Sequence, residues 1–381
     1  MMRIRNMTLY ELDIPFVEQF AHATKTRKAS DALLVKIDTH DGVTGWGETL
    51  VRPYLSGESV GSTVRAFLEA ANDVKGREWR LDDDFASVAS NLDDVISRLP
   101  RSPSQRAHTG LRCALELAII DALLRGEGKE LSDFLPPRRK EVIYSGIVSA
   151  EQPEKSLKLV RQLKLLGIQH YKLKVTPQTA VDLVRDARSL IGSEASLRLD
   201  ANTSFTLGEA RQFCVAIQEY NVAAIEEPLL EATPVKLAEL QALTPIPVMV
   251  DEALVTMADG ERLIELQSSR MFNVRLAKCG GIVPCLKLIQ KASAAGIRTQ
   301  LGALVGETAI LSTVGRALAA HCDSLQFVEG SFGTLLLKED IGRRSIRFGH
   351  GGRGPLLKGP GLGVDVDEEI VNKYCLARHP T

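Results

Sequence analysis

The sequence lacks the marks of membrane proteins, secreted proteins and nucleic-acid-binding proteins. Its 381 residues contain no apolar run of about 18 residues, so we expect no membrane span. Residues 1–6 lack the apolar core of a signal peptide, which favours a cytoplasmic protein. Lys and Arg number 47 against 48 Asp and Glu, and this balance gives no basic surplus that would indicate nucleic-acid binding.

Cysteine is also scarce. The chain has six cysteines, and none of them forms a pair with the C-x-x-C spacing of zinc sites and redox motifs. We therefore expect free thiols in a reducing compartment rather than a zinc site or a disulfide framework.

The N-terminal part of the chain combines strand and helix patterns. Apolar and polar residues alternate over Met7–Ile14 and Ala32–Thr39, and a turn at residues 41–42 leads into a third strand, Gly45–Glu48. Apolar residues spaced three and four apart predict helices near Val60–Asn72 and over Ser104–Leu124.

From residue 141 onward the pattern changes to a repeat of strand, turn and helix. Strands that alternate with helices favour a parallel sheet, and eight such units close most naturally into a barrel with the helices outside. The eight predicted strands are Val142–Val148, Ile168–Val175, Ala195–Asp200, Val222–Glu226, Ile246–Asp251, Met271–Leu276, Gly296–Leu301 and Ser324–Glu329.

Ionisable residues end four successive strands of this repeat. Lys174, Asp200, Glu226 and Asp251 follow one another at intervals of 26, 26 and 25 residues, and each interval is about one compact strand–helix unit. The carboxyl ends of barrel strands form one face of the barrel, where active sites lie. We therefore expect the four side chains to converge on one point.

The residue types at this point indicate a metal site beside a base. Three carboxylates repel one another unless a cation lies between them, and ligation by oxygen alone suits magnesium. Lys172 and Lys174 are two apart on a strand, so both side chains point to the same face. The charge of Lys172 is expected to lower the pKa of Lys174 and so make it a base.

Six short motifs, spread in order over nearly the whole chain, resemble those of the enolase superfamily and, within it, of the muconate lactonizing subgroup. Gly42–Glu48 resembles the signature of the capping domain. The motifs of the barrel are Tyr171–Val175, Leu199–Asn202, Ile225–Pro228, Val250–Ala253 and Lys278–Gly281.

The resemblance implies a fold and an assembly. The fold is a (β/α)7β TIM-like barrel, here residues 131–354, with an α+β capping domain formed by residues 1–130 and completed by about residues 355–381. It also implies a homo-oligomer, from dimer to octamer.

The resemblance implies a chemistry as well. Lys174, assisted by Lys172, would remove the α-proton of a small carboxylate, and the metal would stabilise the enolate. The metal would be Mg²⁺, or Mn²⁺ in its place, held by Asp200, Glu226 and Asp251. The pattern prefers Glu226 over Glu227 as the ligand.

The chain departs from the subgroup at one position. The second catalytic lysine of the subgroup, five residues before the Gly-Gly pair, is here Arg275. Strand parity directs Arg275 inward, and an arginine is a poor base but a good fixed cation. Two-base racemisation needs a proton acceptor on each face of the substrate carbon. The substitution therefore favours one-base reactions, namely cycloisomerisation of the muconate type or syn-dehydration.

Weaker candidates for substrate contacts lie around this centre. Gln300 and Glu329 stand at or just after the ends of the last two strands, and His22 falls where the family has a specificity loop. Two alternatives remain: a racemase or epimerase of amino-acid derivatives that uses Lys174 with a second base such as Lys278, and a catalytically silent barrel that binds a ligand.

Overall fold

The computed structural model describes residues 1–22, 25–100, 108–149, 152–178 and 180–381, and the side chains of residues 18–22, 25 and 26 also lie outside the description. The elements of the N-terminal part are β1 (Met2–Leu12), β2 (Ile14–His22), β3 (Lys25–Ser30), β4 (Leu33–Thr39), β5 (Thr44–Thr49), α1 (Val60–Lys75), β6 (Glu78–Trp79), α2 (Ala86–Arg98) and α3 (Thr109–Gly126).

The second part alternates strands and helices before a long irregular return. Its elements are β7 (Glu141–Ile143), β8 (Gly146–Val148), α4 (Pro153–Leu165), β9 (His170–Lys174), α5 (Ala180–Ile191), β10 (Ser196–Asp200), α6 (Leu207–Ala216), β11 (Val222–Glu226), α7 (Pro234–Leu243), β12 (Val248–Val250), α8 (Met257–Glu265), β13 (Met271–Val274), α9 (Leu276–Cys279), α10 (Ile282–Ala294), β14 (Arg298–Leu301), α11 (Ala309–His321), β15 (Leu325–Val328), β16 (Arg353–Pro355), α12 (Glu368–Lys373) and β17 (Cys375–Pro380).

The first sheet joins the two ends of the chain. Its strands follow the order β17–β1–β4–β5, all antiparallel, and β6 also pairs with β1. Helix α3 packs closely on β5, because Gly45 and Gly47 carry no side chain and a Cβ atom at Gly47 would collide with the carbonyl oxygen of Ala114. Two glycines of the Gly42–Glu48 motif are thus explained by the close approach of this helix.

The second sheet is the barrel. Strands β8 to β15 pair in chain order and in parallel. A hydrogen bond from Ser145 N to Val328 O, 2.9 Å long, joins its two edges. The eighth strand, β15, is followed by a return towards the first sheet rather than by a barrel helix, which confirms the predicted (β/α)7β TIM-like barrel with an α+β cap.

Two buried carboxylates join the N-terminal part of the chain, which forms the first sheet and helices α1 to α3 (the first unit), to the barrel. Glu48, after the β5 glycines, accepts hydrogen bonds from Thr308 N (2.6 Å) and Leu311 N (2.9 Å) at the start of α11. Glu116 of α3 accepts one from Ile282 N at the start of α10. Both carboxylates are fully buried, and burial raises the pKa of Glu48 to about 7. Each therefore caps the N-terminus of a barrel helix, where negative charge is stabilised.

One predicted strand is wrong in its extent. Val142–Val148 forms two strands, because strand pairing is interrupted at residues 144–145, where Tyr144 N donates to Gly352 O at 2.8 Å. The first piece, β7, pairs with β16 instead of joining the barrel. The division at residues 130 and 354 stays a prediction, and so do the oligomeric state and the cytoplasmic location.

Two expectations about absences can be compared with the structure. All six cysteines are free thiols, and five of them are buried. None of the helices in the described ranges has both the length and the apolar character needed to cross a bilayer.

Candidate active site

The strand register brings the predicted side chains together. Lys174 is the partner of Asp200, and Asp200 is the partner of Glu226. Asp251 and Glu329 each follow the last residue of their strands, β12 and β15. Parallel strands end on the same face of the barrel, so all five side chains approach one another there.

Lys172 lies at the centre of this group. Its Nζ is 2.8 Å from Glu226 Oε1, 3.1 Å from Asp200 Oδ2 and 3.4 Å from Glu329 Oε2. Burial disfavours its charged form, but the three carboxylates outweigh burial and raise the pKa of Lys172 above its ordinary value. Lys172 is therefore a fixed cation.

Lys174 has the opposite character. Burial lowers the pKa of Lys174, and the charges of Lys172 and Arg275 lower it further against the attraction of Asp200. The direction is the one predicted from the Lys172–Lys174 spacing, although burial contributes more than the neighbouring lysine. Lys174 is thus the lysine of this pair that loses its proton more readily.

Arg275 faces the same carboxylates, in agreement with strand parity. Its Nη2 contacts Asp251 Oδ2 and lies 3.5 Å from Glu226 Oε1. Burial opposes the guanidinium charge, but Asp251 and Glu226 outweigh it and raise the pKa of Arg275. Strand β9, which carries Lys174, is the second of the eight, and β13, which leads to Arg275, is the sixth, so the two residues face each other across the barrel.

Lys278 is held away from the cavity. Its Nζ donates to Asp251 Oδ1 (2.8 Å) and to the backbone carbonyls of Asp251 (2.7 Å) and Asn273 (2.8 Å). The side chain is buried and does not line the cavity described below. These three bonds use all three hydrogens of the ammonium group.

Asp200, Glu226 and Asp251 offer carboxylate oxygens, the ligand atoms that a hard cation such as Mg²⁺ prefers. Within the described ranges no three Asp, Glu, His or Cys side chains form a ready cage for a metal, because the nitrogens of Lys172 and Arg275 bridge the carboxylates. Glu226 Oε2, however, is buried and has no hydrogen-bond partner. A buried polar oxygen without a partner is energetically costly, and this oxygen of Glu226 is available to coordinate an ion.

Glu227 supports Asp251 from behind. Its Oε2 accepts hydrogen bonds from Asp251 N (2.6 Å) and Ala253 N (3.3 Å). Burial raises the pKa of Glu227 to about 7. These contacts fit the prediction that Glu226 and not Glu227 faces the centre.

A second buried network lies beneath the group. Arg198 Nη1 donates to Glu329 Oε1 at 2.9 Å and contacts Gln300 Oε1, its Nη2 donates to Ser145 Oγ at 2.6 Å, and its guanidinium lies 4.3 Å from the ring centroid of Phe327. Glu329 thus bridges Arg198 and Lys172. Sequence reasoning missed Arg198, although its place two residues before Asp200 gives it the same inward parity.

The predicted substrate contacts are placed unequally. Glu329 lines the cavity, whereas Gln300 is fully buried and donates to Glu329 Oε1 at 3.2 Å. Gln300 does not line the cavity described below, so its position does not fit a direct contact with the substrate. His22 ends β2, and its side chain lies outside the described part of the chain.

The group opens into a cavity of about 180 Å³. Sequence reasoning did not single out Tyr54 or the apolar members of its wall, because none of them belongs to a motif. Asn202 ends the Leu199–Asn202 motif but was not singled out as a substrate contact. The lining residues are Tyr54, Ile147, Lys172, Lys174, Asp200, Asn202, Glu252, Arg275, Ala303, Leu304, Val305, Glu329, Phe332, Leu335 and Leu336.

Comparisons with known proteins agree with this geometry. The family described as enolase C-terminal domain-like matches residues 155–370. Muconate cycloisomerase 1 of Rhodococcus opacus is 30% identical over 95% of this chain and 96% of its own length. The chain belongs to the enolase superfamily. It is an enzyme of that superfamily and resembles the muconate lactonizing subgroup, as its motifs predicted.

Other members with different reactions are also similar. N-succinyl-L-Arg/Lys racemase of Bacillus cereus is 24% identical over 98% of both chains, and its crystal structure superposes with a TM-score of 0.90 over 100% of both chains. A dipeptide epimerase of Cytophaga hutchinsonii, crystallised with Mg and a dipeptide, gives a TM-score of 0.88 at 23% identity over 99% of both chains. Membership of the superfamily therefore does not by itself fix the reaction.

Proposed function

We propose that this member of the superfamily removes the α-proton of a small carboxylate with Lys174 as its one base. The observation that carries the proposal is the pair across the barrel: a lysine whose pKa is lowered faces an arginine that two carboxylates hold in its charged form. A proton can be taken on the Lys174 side of the substrate carbon. On the opposite side Arg275 supplies a cation and no acceptor.

The residues of the chain divide the work as follows. Lys174 accepts the proton at Nζ, and Lys172 orients the substrate carboxylate as a fixed positive charge. Asp200, Glu226 and Asp251 would hold Mg²⁺, or Mn²⁺ in its place. When bound, the ion supplies positive charge that stabilises the enolate. The cavity walls restrict water around the α-carbon.

One-base chemistry fits cycloisomerisation of the muconate type or syn-dehydration, because both move a proton on one face of the α-carbon only. In cycloisomerisation, addition of a carboxylate oxygen to the double bond forms the enolate, which takes a proton from the base; in dehydration, the base removes the proton and the enolate expels the β-hydroxyl group as water. The 30% identity to a muconate cycloisomerase over nearly the whole chain supports this class. Small-molecule carboxylates are the proposed substrates, and we propose a homo-oligomer as the working assembly.

A second candidate is racemisation or epimerisation with Lys174 and a second base. The names of the similar racemase and epimerase favour it. Lys278 can serve as that base only if its Nζ breaks its hydrogen bonds to Asp251 Oδ1, Asp251 O and Asn273 O. A third reading, a binding barrel without catalysis, requires that no carboxylate turn over.

Deuterium incorporation in heavy water with Mg²⁺ tests the proposal. Each enantiomer of a set of α-chiral carboxylates is incubated with the protein, and mass spectrometry follows exchange at the α-carbon. We expect exchange from one enantiomer only, and Lys174→Ala should slow it by about 10²- to 10⁴-fold. Lys158→Ala, on the exposed face of α4, is the matched control and should leave the rate unchanged.

The variant Arg275→Lys sharpens the test. It places a titratable amine across the barrel from Lys174, so exchange from the second enantiomer should begin. Exchange from both enantiomers by the unmodified protein would contradict the one-base proposal and support epimerisation. Absence of magnesium-dependent exchange across the whole set would support the binding reading.

A further inference from the structure

The cavity has two chemically different parts. Its charged lining residues all stand inside a barrel strand or within two residues of a strand end, and they form the floor. These residues are Lys172, Lys174, Asp200, Glu252, Arg275 and Glu329. Residues 303–305 after β14 and residues 332–336 after β15 contribute only apolar side chains to the described lining, and we call this part the apolar rim. Its residues are Ala303, Leu304, Val305, Phe332, Leu335 and Leu336. Asn202 adds a polar side chain after β10.

Hydrogen bonds to the first unit fix the apolar rim in place. Val305 O accepts from Arg52 Nη2 at 3.1 Å, and the next carbonyl, that of Gly306, accepts from Ser30 Oγ at 2.5 Å. Leu336 O accepts from Val17 N at 2.8 Å. Both loops are thus tied through their backbone, which leaves their side chains to form a preorganised wall.

The rim exposes apolar surface at the mouth of the cavity. The side chain of Leu335 is 51% exposed, and Tyr54, which lines the same cavity from the first unit, is 48% exposed. Large apolar side chains around a concave polar site indicate contact with a ligand. A charged group placed against this wall would lose its water and gain no partner among the described rim residues.

We propose that the acid on which this enzyme acts carries an uncharged, apolar group on the side away from its carboxylate. The inference rests on the proposed function, since the carboxylate must lie at the charged floor for the rest of the molecule to reach the rim. Among the described residues the same wall disfavours a second carboxylate or an ammonium group at that end. Cycloisomerisation of the muconate type needs a second carboxylate as its internal nucleophile, so of the two one-base reactions the apolar rim favours syn-dehydration.

Three matched acids test the proposal: N-acetylleucine, N-acetylglutamate and N-acetyllysine. They share the carboxylate, the α-hydrogen and a neutral amide at the α-nitrogen (the lysine derivative is Nα-acetyllysine), and their side chains are apolar, anionic and cationic, respectively. Titration calorimetry with Mg²⁺ present should show that N-acetylleucine binds at least about tenfold more tightly than the other two acids, because only its side chain avoids desolvation of a charge. Equal affinities, or tighter binding of a charged acid, would overturn the proposal.

A charge placed on the rim should change the preference. Leu335→Lys adds a cation where the side chain is already half-exposed, so the fold should tolerate it. We expect N-acetylglutamate to gain on N-acetylleucine by about tenfold in this variant. Val215→Lys, on an exposed position of α6 outside the cavity, is the control and should leave the ratio unchanged. An unchanged ratio in Leu335→Lys would also overturn the proposal.

Deuterium exchange from the same acids separates this inference from the proposed function. Binding in the expected order without exchange would leave the apolar rim standing and contradict the proposed chemistry. Exchange from the charged acids at the same rate as from N-acetylleucine would contradict the rim and leave the chemistry standing. Failure of all three acids to bind would contradict the apolar-substrate proposal.

Discussion

Buried carboxylates occur in two regions of this molecule, and their partners differ. At the junction of cap and barrel, Glu48 and Glu116 accept hydrogen bonds from backbone N–H groups at the starts of two helices. At the barrel mouth, Asp200, Glu226 and Asp251 face the side chains of lysine and arginine. Backbone donors cannot leave without unfolding a helix, whereas side-chain cations can move aside.

This difference separates a structural carboxylate from a site. Helix N–H groups satisfy both oxygens of Glu48 and one of Glu116, and Arg112 Nη1 satisfies the other oxygen of Glu116. Glu226 retains a buried oxygen without a hydrogen-bond partner. Burial alone therefore does not indicate function. An unmet oxygen does not either, because Asp340, which accepts from Ala309 N at the start of α11, and Glu227 also retain one. The convergence of carboxylates and side-chain cations at one end of the barrel does.

The largest expected effect comes from removing the cation beneath the barrel mouth. Arg198→Met should lower the free energy of unfolding by about 3–5 kcal/mol, because Glu329 and Gln300 would stay buried without their partner. Urea unfolding measures the change. The double variant Arg198→Met with Glu329→Gln should recover part of the loss, since the buried charge disappears.

The control for this variant is Arg185→Met. Arg185 is exposed on α5 and pairs with Asp182 and Asp186, so its loss should leave the unfolding curve unchanged. Equal effects of the two arginine variants would contradict the distinction between buried and exposed ion pairs in this molecule.

The second prediction compares one carboxylate from each region. Glu226→Gln should weaken Mg²⁺ binding at least about a hundredfold. Replacing a residue that only hydrogen-bonds to a metal ligand already weakens binding by up to about a hundredfold, and Glu226 is assigned as a ligand itself. Glu116→Gln should leave Mg²⁺ affinity unchanged and lower stability by about 1–3 kcal/mol, because Ile282 N and the buried guanidinium of Arg112 lose a charged acceptor. Titration calorimetry and thermal unfolding measure the two quantities, and equal Mg²⁺ affinity in both variants would refute the assignment of Glu226.

Much of the barrel mouth was predictable because it depends on local patterns. Strand parity and the regular spacing of units put Lys174, Asp200 and Glu226 on one face, and parity also directed Arg275 inward. Arg198 was missed, although it shares the parity of Asp200, because a lone arginine in a strand reads equally well as an exposed residue. Its buried partners lie on other strands, which no local pattern reveals.

The junction was not predictable for the same reason. Glu48 caps a helix that begins about 260 positions later, and nothing near it in the sequence announces that partner. The strand Val142–Val148 failed similarly, since its first half pairs with β16 near the end of the chain. Local sequence patterns thus predict the helices and strands and the faces on which side chains lie. They do not predict contacts between distant segments, such as Glu48 with α11 or β7 with β16.

The third prediction concerns the pH dependence of the junction. Burial raises the pKa of Glu48 to about 7 in the folded protein, above its ordinary value, so its contribution to stability is present at low pH and is lost as pH rises through about 7. In Glu48→Gln this titration is absent. The stability advantage of the unmodified protein should therefore shrink by about 2 kcal/mol between about pH 5.5 and about pH 8.

Urea unfolding of both proteins at the two pH values measures this difference. Burial and the charge of Glu48 raise the pKa of Glu307 to about 8, so Glu307 also titrates in this range, and the comparison is repeated in a Glu307→Gln background. A difference that grows with pH would show that the helix donors, and not burial, control Glu48.

The smallest expected change is a shift in the pH profile of catalysis. The exchange rate should rise with pH as Lys174 loses its proton, with an inflection below the ordinary pKa of lysine, because burial and the charges of Lys172 and Arg275 lower its pKa. Arg275→Met removes one of those charges and should move the inflection to higher pH. Lys158→Met, on the surface of α4, should leave it in place. Because the position of the inflection is independent of the absolute rate, the shift is measurable even where the variant is slow, and an unmoved inflection would place Lys174 outside the electrostatic reach of Arg275.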